Sequence, residues 1–547
     1  MKNIFIAVIF CAIGTSFVYA QTVMENVHAD IYEFLNRQAQ KGNIVFDDLI
    51  RPISRIKITE YLDSLTVKKN HLSKIEKEEI IFFQKEYGTA LAKKEWNYSE
   101  KPRFLKKDSN GRLRLLSVEK ENFTLNIDPL IQMGYVKGDS QSVKKFARGI
   151  QGWATWGKHF GLNFSYADAT ESGTGLNPDK NFTPDQGVVL STSTTGKSIN
   201  YNEASANLYY SWKKGIVSIG QDYLLWGYGE NGRMVLSDKA PVYPYFRLSL
   251  DILKWLRFEY ANAVLASNVI DSNQTYFTGN PVFGGERIIY RPKYMATNTL
   301  IFKPTKGLDI AFGESVIYSD QIQIGYLLPF FYLKGYDQYS SGNRAQAGAN
   351  SQIFMQISSR NQIKKTHIYG GLFIDEISMS NIFDKQKSRN QLGYSLGASI
   401  TDLLIPYLTL QAEYSKINPF VYQNQNPTQN YNSNYSTMGD WMGNNADRWI
   451  VSAKYTPIPR LRLLARYQYI RKGGAGTLEQ QYDVTKPQPP FLFDLQRKQG
   501  EFLLKANYEI VNNFYVTGSY SMTNQLLAPS FLTKNFKTIN FGMSIGL

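Results

Sequence analysis

Cysteine is almost absent from this chain: its 547 residues contain one, Cys11. That count excludes a disulfide framework and a thiolate metal site. Histidine is scarce too, and His28, His71, His159 and His367 fall at spacings that fit no metal-ligand pattern. No apolar run is long enough to cross a bilayer as a helix. From residue 120 onward there is also no Pro/Gly/Ser-rich linker, so nothing divides that stretch into separate domains.

The N-terminus reads as a secretory signal, residues 1–20. Lys2 supplies the basic start, Ile4 to Ile13 the short apolar core, and Val18-Tyr19-Ala20 the small-residue site before Gln21. Phe10 stands where a lipoprotein signal needs a small residue before Cys11, so no lipid anchor is expected. Lys and Arg outnumber Asp and Glu by 61 to 46, a formal charge of +15 that falls by one when Lys2 leaves with the signal. In an exported chain with no nucleic-acid motif, that excess suits lipid phosphates or an acidic polysaccharide better than nucleic acid.

The remaining sequence has two parts. Residues 21–100 show helical spacing, with Met24, Val27, Ile31, Phe34 and Leu35 on one face and Gly42 as a stop. Ser54 can cap a second helix carrying Ile58, Tyr61, Leu62 and Leu65. Ser73 with Glu76 forms a capping box for a third through Ile80, Phe83 and Tyr87. This predicts a small periplasmic helical bundle docked on the rest of the protein. Residues 101–120 read as a connecting hairpin around Asp108-Ser109-Asn110-Gly111.

Residues 121–547 are a train of short strands whose links alternate short and long. In FRLSLDI, Phe246, Leu248, Leu250 and Ile252 share one face, and Arg247, Ser249 and Asp251 share the other. One upward strand near 122–134, eight hairpins and a last strand near 536–546 give about 18 strands, an even number suited to a bacterial outer-membrane barrel. The fold class is therefore mainly β: a transmembrane antiparallel β-barrel with an N-terminal α-helical bundle. Short turns such as Lys213-Lys214 fall on the periplasmic side, and long loops such as 222–245, 317–349 and 417–448 on the extracellular side.

Two motifs point toward an enzyme and fail on context. Gly227-Tyr228-Gly229-Glu230-Asn231-Gly232 matches G-x-G-x-x-G, but a proline-containing stretch follows where a dinucleotide site needs a helix. Gly542-Met543-Ser544-Ile545-Gly546 matches the nucleophile elbow, yet the elbow needs a helix after its serine and Ser544 sits in a terminal strand facing the lumen. No catalytic residue, metal ligand or cofactor is predicted. The Asn-rich stretch Asn418 to Asn445 reads as a hydrated surface loop.

The densest binding chemistry lies between Gly220 and Asp251. Trp226, Tyr228, Tyr243 and Tyr245 offer aromatic faces to a pyranose, while Asn231, Arg233, Lys239 and Arg247 offer polar and cationic contacts, joined by Arg291 from another loop. The same region carries a resemblance. WGYGENG followed by VLSDKAPVYP, RPKYMATNTLIFKPTKGLDIAFGESVIY from Arg291, QIGYLLPFFY from Gln323 and HIYGGLFIDEI from His367 resemble the Wzi-type capsule assembly family. The resemblance implies an 18-stranded outer-membrane barrel with a periplasmic helical bundle, acting as a lectin-like, non-enzymatic factor in capsule assembly or attachment. Its partners would be acidic capsular or exopolysaccharide, outer-membrane lipids and lipopolysaccharide, and polysaccharide export proteins. A porin or sugar-selective diffusion channel is the alternative from another class, and an outer-membrane lipase or deacylase is a weaker one.

Overall fold

The computed structural model describes residues 22–68, 71–88, 99–191, 197–279, 284–342, 348–377, 390–483 and 485–546; the expected signal lies outside the described residues. Eighteen antiparallel strands close into one barrel. They are β1 (Phe123–Gly138), β2 (Ser142–Trp156), β3 (Phe160–Gly173), β4 (Ser198–Trp212), β5 (Gly215–Asp222) and β6 (Tyr243–Leu253), then β7 (Leu256–Leu265), β8 (Lys293–Thr305), β9 (Leu308–Ser319), β10 (Asn350–Arg360), β11 (Thr366–Glu376) and β12 (Gln391–Thr401). The last six are β13 (Leu408–Ile417), β14 (Ala446–Tyr455), β15 (Leu461–Lys472), β16 (Arg497–Val511), β17 (Phe514–Leu527) and β18 (Thr533–Ile545). Closure is made by β18 on β1, from Thr538 opposite Gly138 to Ile545 opposite Ile131.

The period-2 pattern sets the two faces. On β6, Phe246 points outward and is partly exposed, while Arg247 points into the lumen and is buried. On β18, Ile539, Phe541 and Met543 face outward and exposed, and Ser544 lines the lumen. The strands run longer than the sequence pattern predicts. The first, expected near 122–134, runs on to Gly138, and only 139–141 link it to β2.

Among the described residues three helices precede the barrel: α1 (Ile31–Gln40), α2 (Arg55–Val67) and α3 (Lys74–Tyr87). Ile31, Phe34, Leu35, Ile58, Leu62, Leu65, Ile80, Phe83 and Tyr87 form their shared core. The Ser73–Glu76 capping box is present as expected; Ser54 occupies the N-cap of α2 without a side-chain hydrogen bond. Residues 22–30, expected to begin the first helix, are not helical, and Met24 instead bridges to Ser54. The helices sit against the short-turn end of the barrel. Arg37 donates to Asp402 at 3.0 Å in the β12–β13 turn, and Tyr407 in that turn accepts a 3.2 Å hydrogen bond from the Glu76 backbone. The hairpin Ser99–Lys107 with Leu113–Lys120 pairs onto the start of β1.

The lumen is filled from both ends. From the helical side, residues 46–52 rise into it and are bolted to the wall by ion pairs. Asp47 meets Lys303 at 2.8 Å and Arg257 at 3.3 Å, and Asp48 meets Arg360 and Arg51 at 2.5 Å each. Burial works to raise the Asp48 carboxyl, and the two guanidiniums more than offset it, holding the group below the usual carboxylate range. From the long-loop side, residues 223–242 and 418–445 fold inward.

The second of these loops overturns the expectation of a hydrated surface segment. Phe420, Val421, Tyr431, Met438 and Met442 are buried at 0–1 % exposure. Polar composition does not prevent this, because the loop's polar groups find partners inside. Asn445 Nδ2 donates to Gly474 O at 2.9 Å, and the buried Lys293 Nζ donates to Asn430 O at 2.7 Å and to Asn432 Oδ1 at 2.6 Å.

Candidate functional site

Residues 223–242, with the first residues of β6 that follow, do two different things in the lumen. Their apolar positions join the main core. Leu225 and Trp226 pair as a short strand with Ile50 and Arg51 of the N-terminal segment, and Trp226 stacks edge-on against Phe354 of β10 at 6.2 Å. Met234 and Val235 accept hydrogen bonds on their carbonyls from Tyr422 and Tyr431 of the Asn-rich loop, at 2.8 and 2.9 Å. The N-terminal segment, this segment and the Asn-rich loop thus share one core.

Four residues expected to touch ligand are committed to that packing. Trp226 is 1 % exposed, Tyr243 2 % and Tyr245 4 %, so no ring face is open for stacking. Arg247, 1 % exposed, donates through Nε and Nη2 to Glu259 Oε2 at 3.2 and 3.1 Å and through Nη1 to Pro52 O at 3.1 Å. It ties β6 and β7 to the N-terminal segment. Arg291 sits elsewhere, exposed on the long-loop side, 3.4 Å from Asp320. It is outside the lumen cavity described next.

The polar positions of the segment line a cavity of about 400 Å³ between the wall of β10–β14 and the N-terminal segment. Tyr228, Asn231, Arg233 and Lys239 all face it. The Tyr228 ring lies 5.1 Å from His367 and 5.6 Å from Tyr369, with the Arg360 guanidinium 5.0 Å over it and bonded to its hydroxyl at 3.1 Å. Asn231 donates to Gln468 at 2.9 Å and accepts on its carbonyl from Trp441 Nε1 at 2.5 Å. Lys239 donates to Lys180 O at 3.0 Å, and burial pushes its ammonium below the usual lysine range.

Arg233, like Lys239, differs from the cations of the cavity that are ion-paired. Arg51 and Arg360 share Asp48, and Lys454 meets Glu230 at 2.8 Å. Arg233 donates to its own turn at Gly227 O, and among the described residues no carboxylate lies within ion-pair distance of it. Burial and the adjacent Arg51 push its guanidinium down to about 10, which still leaves it protonated at neutral pH.

The turn Gly227–Gly232 that presents these groups is the G-x-G-x-x-G match. Gly227 has φ +99° and Gly232 +150°, and a Cβ on Gly232 would strike the Asp440 carboxylate. The glycines allow a tight lumen turn, and no helix follows.

Sequence reasoning missed the opposite side of the cavity. His367 and Tyr369 lie at alternate positions on β11 and face inward, a signal that strand alternation carries. Arg51 and Asp48 arrive from the N-terminal segment, and Trp441 from the Asn-rich loop, through long-range packing that has no local signature. A second cavity of about 410 Å³ lies toward β1–β5 and β16–β18, and His28, Ala29 and Asp30 line both.

A closed barrel with an outward apolar belt, a lumen occupied by folded-in segments and a charged internal cavity defines an outer-membrane β-barrel protein. Residues 147–526 match the family described as Capsule assembly protein Wzi, and the chain belongs to that family. No curated protein sequence matches it. Among solved structures the chain resembles Wzi of Escherichia coli, an outer membrane protein involved in group 1 capsule assembly and a carbohydrate-binding β-barrel, with TM-score 0.56 and 11% identity over 96% of this chain and 99% of that one. It also resembles OccK5 (OpdH) of Pseudomonas aeruginosa, with TM-score 0.42 and 10% identity over 77% of this chain and 97% of that one.

Proposed function

We propose that this barrel is a non-enzymatic, lectin-like factor that holds acidic capsular or exopolysaccharide at the outer membrane during capsule assembly. The observation that carries the reading is Arg233: a protonated guanidinium facing a cavity, with no carboxylate within ion-pair distance among the described residues and with Asp48 and Asp238 acting on it only from further away. A carboxylate or phosphate substituent on a sugar supplies the missing charge. Tyr228, Asn231 and Lys239 supply an aromatic face and polar donors around it, and the Tyr369 ring completes the wall. In this reading the helices face the periplasm and polysaccharide export proteins, the long loops with Arg291 face outward, and the belt meets lipid and lipopolysaccharide.

The diffusion-channel alternative requires a continuous water-filled lumen. Among the described residues, segments 46–52, 223–242 and 418–445 fold into the lumen and pack against one another, which supports retention of a ligand over its passage. The test is binding of the purified barrel to an acidic capsular polysaccharide and to the same polymer with its carboxyl groups reduced to alcohols. Saturable binding of the acidic polymer alone is expected. Equal binding of both forms would refute the charge-based reading, and steady ionic conductance in planar bilayers would favour the channel.

A further inference from the structure

The connection from β9 to β10 does not remain above the barrel mouth. Strand alternation identifies the outer wall. Arg257 and Glu259 of β7 meet Asp47 and Arg247 in the lumen, so Phe258, Tyr260 and Asn262 point outward. Cross-strand register carries that face through Ala296 and Asn298 of β8 and through Glu314, Val316 and Tyr318 of β9 to Ser351 of β10. Elsewhere this face is open, as at Leu396 (62 % exposed) and Trp449 (56 %). Here it is covered. Ala296, Val316 and Tyr318 are packed under Tyr326 and Leu333, which belong to residues 320–342: a short 3-10 turn (Ile324–Leu327) followed by helix α4 (Leu333–Gly342).

The covered wall is polar where a lipid-facing wall should be apolar. Glu314 lies midway along β9, and its carboxylate accepts from the first two backbone N–H groups of α4, Leu333 at 2.8 Å and Lys334 at 3.0 Å, and from Asn298 at 3.1 Å. Tyr260 donates its hydroxyl to Tyr326 O at 2.7 Å, Asn298 donates to Phe331 O at 3.3 Å, and Ser351 donates to Asp337 at 2.7 Å. Irregular backbone at membrane depth is tolerated only where its polar groups are satisfied by protein, and a carboxylate in hydrocarbon carries a large desolvation cost unless hydrogen-bonded. The seam and the segment over it solve both problems for each other.

The opposite side of the segment is apolar. Ile322, Ile324, Leu327, Leu328, Phe330 and Phe331 are all exposed. Phe330 stacks on Phe258 at 4.6 Å, which joins this surface to the apolar belt of the barrel.

We propose that residues 320–342 form a membrane-embedded strap on the outer wall, its exposed apolar side packed against lipid acyl chains. Continuity with the belt, the apolar surface and the satisfied polar underside all fit that one occupant.

The chain from Gln21 onward has no cysteine, so single-cysteine variants need no prior removal. Leu328→Cys and Phe331→Cys, both at exposed positions, carry nitroxide labels in phosphatidylcholine vesicles. Leu396→Cys on the belt and Tyr435→Cys on the long-loop side (77 % exposed) serve as references. Power saturation then reads collisions with oxygen and with a water-soluble nickel chelate. The proposal expects the two strap labels to match Leu396→Cys, accessible to oxygen and shielded from nickel. Nickel access equal to that at Tyr435→Cys would overturn it, as would dipolar broadening between labels on two copies of the chain.

Discussion

Arg233, in the lumen-crossing segment, and Arg247, fourteen residues further on in β6, carry the same side chain and have opposite roles. Arg247 is closed off by Glu259 and the Pro52 carbonyl, so its charge is spent on joining two strands to the N-terminal segment. Arg233 faces a cavity, and among the described residues its hydrogen-bond partner is a backbone carbonyl of its own turn. The same division separates Trp226, enclosed in the core, from Tyr228, on the cavity wall. In a filled barrel, residue type does not mark a ligand contact; what matters is whether the protein already supplies the partner.

The largest effect that sharpens this division is expected at Trp226. Trp226→Ala removes a buried indole from the contact between three lumen segments and should cost about 3–5 kcal/mol. Its readout is a lower denaturant midpoint in the heat-modifiability assay used for β-barrels. A midpoint unchanged from wild type would break the distinction between core and cavity.

Arg247→Ala comes next. It leaves Glu259 buried, although Arg257 still pairs with that carboxylate, so a loss of about 3 kcal/mol is expected, at the low end for a broken buried pair. Replacing Arg247 with Met and Glu259 with Gln together should recover part of it, because no lone charge is then stranded. Arg233→Ala, by contrast, should change stability by less than about 0.5 kcal/mol.

The smallest effect lies at His28–Asp238, a 2.9 Å contact joining the N-terminal segment to the cavity-lining segment. Burial works to raise the Asp238 carboxyl, and the hydrogen bond and charge of His28 more than offset it, so the folded value is lowered. The contribution is therefore fully present above the ordinary carboxylate value near 4 and is lost as pH falls through the lower folded value. Asp238→Asn should flatten that acid-side loss, being slightly less stable than wild type near neutral pH and converging on it at acid pH, as followed by unfolding at stepped pH.

Much of the architecture was legible because strands at a lipid–water boundary obey a strict period of two. Phe246, Leu248 and Leu250 against Arg247 and Ser249 read directly as outside and inside, and Ser73 with Glu76 announced the start of α3. The Asn-rich loop was illegible because burial there depends on distant partners, such as Lys293 reaching Asn430 and Asn432. The strap over β7–β10 was hidden for a related reason: QIGYLLPFFY reads as an outer loop until Glu314 and Asn298 are seen beneath it. In the candidate site, His367, Tyr369, Arg51, Asp48 and Trp441 were not among the residues the sequence singled out for binding, whereas Tyr228, Asn231, Arg233 and Lys239 were. Their separation from Trp226, Tyr243, Tyr245 and Arg247 needed the register of residues 50–51 on 225–226, which no local pattern encodes.

The most direct test of the account is calorimetric titration of an acidic capsular polysaccharide into wild type, Arg233→Ala and Arg233→Lys, each first shown to be folded by heat-modifiability. Loss of one charge-assisted contact worth about 1.5–3 kcal/mol should weaken binding by Arg233→Ala about 10- to 100-fold. Arg233→Lys should recover part of the affinity, and added salt should weaken wild type more than Arg233→Ala. Wild-type affinity in a folded Arg233→Ala barrel would contradict the claim that the cavity, through this unpaired guanidinium, holds the polymer.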